Sequence, residues 1–125
     1  MSGPGGSERW FVYMARCADG SLYVGIARDV AARIAAHDAG KGARYTRGRG
    51  PLEVLATRRC ATKGNALRLE LALKALSLDR KRAVAGSPST MAAFARKVIA
   101  RARRSSAALR ARAPARRGAA RASRP

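Results

Sequence analysis

Apolar residues fall into short alternating runs early in this chain and into helical spacing later, and those rhythms predict its elements. Residues 9–17, RWFVYMARC, are dense in aromatic and apolar groups and read as a strand, as does SLYVGIA over 21–27. Between them Ala18-Asp19-Gly20 fits a three-residue hairpin loop whose glycine takes a positive φ. That register sets Cys17 opposite Ser21, Ala15 opposite Tyr23 and Tyr13 opposite Gly25. Tyr13 and Tyr23 then share one sheet face; a two-residue loop would shift the parity and separate them.

Further on, Asp29 is placed to cap a helix over 30–39 that stops at Gly40, with Val30 and Ile34 as its apolar stripe and Arg33 and His37 on one face. Residues 40–51, GKGARYTRGRGP, form a basic glycine-rich loop, and LEVLATRRC over 52–60 alternates like a third strand. Asn65 is the expected cap of a helix over 66–76, striped by Leu69, Leu73 and Leu76, and Ser77 the cap of a short helix through Ala85. Residues 86–89 read as a linker, 90–104 as an amphipathic helix, and the Ala/Arg/Ser/Pro-rich 105–125 as disordered, like the Gly/Pro/Ser-rich 1–8. The order ββαβα plus a short helix predicts an α/β (α+β) fold: a small, three-stranded, largely antiparallel sheet with flanking helices. One domain over 9–86 would precede a basic tail over 87–125.

Charge narrows the partner. The net charge is +20; residues 1–86 hold 16 Lys/Arg and 7 Asp/Glu, and 87–125 hold 11 Lys/Arg and no acid. Such an excess favours a polyanion through counterion release, nucleic acid above all. No apolar stretch is long enough to span a bilayer, and the start lacks the pattern of a secretory signal. Cys17 and Cys60 lack metal-type spacing and read as reduced thiols, which points to a cytoplasmic, nucleoid-associated protein. A single histidine excludes a His-rich metal site.

Candidate chemistry lies in the polar residues that interrupt these patterns: the hairpin phenols Tyr13 and Tyr23, Arg33 with His37, and Glu70 within the leucine-rich helix. Gathered around one point, such groups can hydrolyse a phosphodiester. A carboxylate holds a divalent metal and a guanidinium binds phosphate oxygens, while nearby positive charge lowers a phenol toward use as a base. The loop cations Lys41, Arg44, Arg47 and Arg49, with Tyr45 among them, suit backbone contact and base stacking. Spacing alone does not bring these residues together.

The chain resembles the GIY-YIG nuclease superfamily, particularly its small stand-alone bacterial members. FVY at 11–13 stands where the first tripeptide would, and YVG at 23–25 is a conservative form of the second. The stretches YVGIARDVAARIAAH, GKGARYTRGRGPLEVL and ALRLELALKALS are similar to that group as well, so the likeness spans about 9–83. It implies a tyrosine general base, Tyr13 or Tyr23, with Arg33 at the scissile phosphate. It also implies Glu70 as ligand of one Mg²⁺ or Mn²⁺, His37 as a proton relay or phosphate contact, and Gly25 as the space beside Tyr13. Phe11 replaces the family's glycine. Ile26 stands where some repair nucleases carry a phosphate-binding lysine, a role that Arg28 or the 41–49 loop would take over. The implied activity is a metal-dependent DNA endonuclease, structure-selective or weakly specific, in repair or recombination. The alternatives are a DNA-binding module that keeps the fold without cutting, and an accessory subunit with a repair protein as partner.

Overall fold

The structure, a computed structural model, describes residues 9–40 and 51–122, with side chains up to residue 111. Three strands, Trp10–Arg16 (β1), Leu22–Ala27 (β2) and Glu53–Cys60 (β3), form one sheet in the order β2-β1-β3. Both pairings are antiparallel, and the β1–β3 ladder carries an irregularity between Met14 and Ala15. The hairpin register is the expected one: Tyr13 faces Gly25 and Ala15 faces Tyr23. Gly20 closes the turn at φ +87°, the left-handed region that favours glycine, and Asp19 accepts both the backbone N–H and the hydroxyl of Ser21.

Alternation along the central strand splits the interior into two layers. Val12 and Met14 point to one face, where they join Val24, Leu69, Leu73 and Met91 under three helices: Lys63–Lys74 (α2), Leu78–Ala85 (α3) and Pro88–Ala122 (α4). Tyr13, Ala15 and Cys17 point to the other, where Tyr23, Val30 and Ile34 complete a smaller cluster under the helix Val30–Asp38 (α1). Asp29 caps α1 as expected, its carboxylate accepting from Ala32 N at 3.0 Å, and Gly40 follows its end at φ +82°. Asp38 Oδ1 accepts from Leu52 N at 3.0 Å and ties the end of α1 to the residue before β3.

Two helix starts differ from expectation. Thr62, not Asn65, caps α2: its hydroxyl accepts from Asn65 N at 3.1 Å, and the helix begins at Lys63 because a first turn tolerates Lys63 and Gly64. Asn65 sits inside that turn and accepts from Arg68 Nη1 instead. The expected linker at 86–89 contains the start of α4. Ser87 Oγ accepts from Thr90 N, Thr90 Oγ1 accepts from Ser87 N, each at 3.1 Å, and Pro88 takes the first helical position. From there α4 continues to Ala122, through most of the stretch expected to lack regular structure. Ser77 caps α3 as expected. Both cysteines are free and buried, and no helix among the described residues is long and apolar enough to cross a membrane.

Candidate active site on the hairpin face

Four of the candidate residues meet between the hairpin and α1. The phenol of Tyr13, wholly buried, and Nε2 of His37 are hydrogen-bonded at 3.1 Å. Tyr23 lies beside both, its ring centroid 6.1 Å from that of Tyr13 and 5.3 Å, edge-on, from the imidazole. Arg33, one turn before His37 on α1, is close enough to Tyr13 for its charge to act on the phenol.

Burial decides the protonation states. Tyr13 is pushed up to about 12, first by desolvation and then by Tyr23; Arg33 pulls it down, as expected of a cation, but does not prevail. His37 is held below the ordinary imidazole range, first by burial and then by Arg33, against the opposing pull of Asp38. The pair at neutral pH is therefore a neutral phenol and a neutral imidazole, and the ring tautomer sets which of the two donates. Of the two hairpin phenols only Tyr23 is part-exposed.

A titration follows from this. Tyr13 is expected to ionise as a phenolate absorbance step near pH 12 that disappears in Tyr13→Phe. Its folded pKa exceeds the ~10 of a free phenol, so the folded state binds that proton more tightly. Stability is intact below pH ~10 and is lost as the pH climbs through the folded value. A step lost from near pH ~10 instead in Tyr13→Phe would show that Tyr13 is not sealed.

Gly25 keeps this cluster possible. A Cβ there would stand 2.7 Å from Tyr13 Oη and 2.9 Å from Tyr23 Cε2, closer than real Cβ atoms come. Because Tyr13 is enclosed and bonded to His37, it has nowhere to give way. Gly25→Ala is expected to cost about 1–3 kcal/mol of stability, the scale of overpacking a filled core. A urea-denaturation midpoint equal to that of the unsubstituted protein would contradict this tight fit.

Glu70 arrives from the other side. It rides on α2, whose buried residues pack on the face opposite the tyrosines, and its half-buried carboxylate pairs with Lys74 Nζ at 3.1 Å. Lys74 and Tyr23 line one small cavity at the β2 edge, together with Lys81. The route between Glu70 and the tyrosine cluster thus runs around that edge strand and not through the sheet. Among the described residues no group of three His, Cys, Asp or Glu side chains gathers as a metal site. A lone carboxylate still suits a hard, hydrated cation, and Glu70 already faces a cationic head.

Arg28 lies beside Arg33 along a recess that also includes Trp10. Lys41, Arg44, Tyr45, Arg47 and Arg49 lie outside the described residues. Sequence reasoning misses Trp10, whose ring holds Arg28 Cζ at 5.7 Å and Lys63 Nζ at 5.1 Å from its centroid. A signal for it does exist: the register that pairs Tyr13 with Gly25 also sets Trp10 across from Arg28.

A hairpin that presents two tyrosines to an Arg–His helix, with a glutamate on a later helix, is the frame of one nuclease superfamily. The chain belongs to the GIY-YIG family, whose catalytic-domain model matches residues 9–83. Its relatives include a UPF0213 protein of Cupriavidus pinatubonensis, 49% identical over 74 residues that make up 59% of this chain and 82% of that one. A UPF0213 protein of Vibrio cholerae is 51% identical over 76 residues, 60% of this chain and 75% of the relative. The solution NMR structure of a UPF0213 protein from Bacillus halodurans is 44% identical, covers 62% of this chain and 83% of its own, and superposes with a TM-score of 0.42.

Proposed function

We propose that this protein is a metal-dependent DNA endonuclease, structure-selective or weakly specific, that serves repair or recombination. The observation that carries the reading is the convergence of Tyr13, Tyr23, His37 and Arg33 on one face of the sheet. Tyr23, the part-exposed phenol, would serve as the base in its phenolate form, its own proton lost to solvent before it takes one from an attacking water. Tyr13 keeps its own proton and fixes the imidazole of His37 through their hydrogen bond. Arg33 is exposed and binds non-bridging phosphate oxygens, stabilising the charge that develops on them. Glu70 would hold Mg²⁺ or Mn²⁺ once Lys74 releases it, and the bound ion would polarise the phosphoryl and leaving oxygens.

The test is to incubate the purified protein with flapped, branched and linear DNA in Mg²⁺ or Mn²⁺, alongside Arg33→Ala. Cleavage by the unsubstituted protein, reduced about 10²-fold in the variant, is the expected result for removing one charge-stabilising group. Equal cleavage by both would trace the activity to a contaminant and end the assignment. The Glu70–Lys74 pair favours a second reading, a DNA-binding module that no longer cuts. Full DNA affinity with no metal-dependent cleavage of any substrate selects it.

A further inference from the structure

The proposed reaction leaves a second basic groove unused, on the sheet face opposite the tyrosines. A cavity of about 700 Å³ between the end of β3 and α4 is lined by Arg58, Arg59, Arg96 and Arg103, with Ile99 and Ala100 among them. A smaller recess continues it, sharing Asn65 and Arg103 and adding Arg68 and Arg110. Neither lining contains an acid, and among the described residues no carboxylate forms an ion pair with these six arginines. Arg96, Arg103 and Arg110 recur every seven residues. Seven residues are two turns of helix, so the three stand in a row on one side of α4, about 10.5 Å apart.

This groove connects with the candidate active site around one end of the sheet. Trp10 pairs with Cys60 across β1 and β3, and Cys60 lines the groove. On the other side Trp10 shares its recess with Arg28 and Arg33. Lys63 and Arg28, both against the indole, carry positive charge across the gap.

We infer that α4 supplies a second nucleic-acid site: a track for a single strand that passes from Arg33 by Trp10 and along the Arg96–Arg103–Arg110 row. Along α4 regularly spaced guanidiniums with no acid in the lining match a regularly spaced polyanion, and the acid of the Trp10 recess, Asp29, is engaged in capping α1. The path turns from one face of the sheet to the other, and that turn selects the form of the ligand. Bending a duplex site by 40–90° costs on the order of 1–6 kcal/mol, whereas a single strand turns freely. The Arg96–Arg103–Arg110 row lies beyond residue 83, where the family match ends. The inference rests on the nuclease reading for its direction, toward Arg33, but its test reads binding alone.

Anisotropy of a labelled oligodeoxythymidine and of a duplex of equal length, titrated with salt and without divalent metal, provides that test on the full chain. Arg96, Arg103 and Arg110 are replaced together by alanine. A control replaces Lys97, Arg101 and Arg104, exposed residues of α4 that line neither recess. Both variants lose three charges, and circular dichroism verifies that both remain folded. The groove variant is expected to lower the single-strand salt slope by about 2, at ~0.7 for each phosphate left unneutralised, and to bind at least tenfold more weakly at low salt. Its duplex binding, and single-strand binding by the control, should change far less. Equal weakening in the two variants, equal weakening for strand and duplex, or unchanged binding in the groove variant would each overturn the track. Strand binding that depends on the groove in a protein that cuts nothing would keep the track and reject the nuclease.

Discussion

Glu70→Ala is expected to lower metal-dependent cleavage by about three orders of magnitude while DNA affinity holds or rises. A bound cation contributes several kcal/mol to a phosphoryl transition state, and three decades of rate correspond to about 4 kcal/mol. Affinity should not fall, because the substitution removes a negative charge and frees the ammonium of Lys74, now 3.1 Å from the carboxylate. Single-turnover cleavage at saturating DNA reads the chemical step, and anisotropy without metal reads binding. Unchanged cleavage would show that any metal is held elsewhere and that Glu70 serves only Lys74. A parallel fall in cleavage and affinity would mean that α2 had been disturbed.

Met91→Ala is expected to cost about 2–5 kcal/mol of folding stability, the range for emptying a large buried aliphatic position. Met91 is 1% exposed and packs among Val12, Met14, Leu69 and Leu73, although it lies beyond the segment matched to the family. For a domain whose whole stability is ~5–15 kcal/mol, that is a large share. The start of its helix is tied to α3 by the Thr90 hydroxyl, which donates to Val84 O at 2.7 Å, and this limits how far α4 can move in to fill the space. Chemical denaturation should show a lower midpoint at unchanged slope. A midpoint shift worth less than ~0.5 kcal/mol, the scale of a surface substitution, would mean that α4 merely leans on the fold.

Much of the hairpin side is legible in the residues themselves. A three-residue loop ending on Gly20 settles the parity of β1 and β2, and parity alone puts Tyr13 and Tyr23 on one face; Asp29 and Gly40 then bracket the helix that brings Arg33 and His37 over them. The place of Glu70 is not legible. Alternation reveals which residues share a face, but which helix covers which face depends on how the chain crosses the sheet after β3. Nor does composition weigh burial against charge: a neighbouring arginine predicts a lowered phenol, and the enclosure of Tyr13 reverses the outcome. The start of α4 is hidden because Ser87-Pro88-Ser89-Thr90 has the composition of a linker as well as of a cap. Only Met91 seated in the interior separates the two.

The division of β1 between two interiors makes the domain cooperative. Tyr13 and Ala15 of that strand pack under α1 and Val12 and Met14 under α2 and α4, while both outer strands hydrogen-bond to its backbone. Neither layer can open widely without stripping partners from the other. Breathing motions that would expose Tyr13 are therefore opposed by contacts on the far side of the sheet, and amide exchange along β1 should proceed only through global unfolding. The rigidity of the chemical face is in this sense supplied from behind.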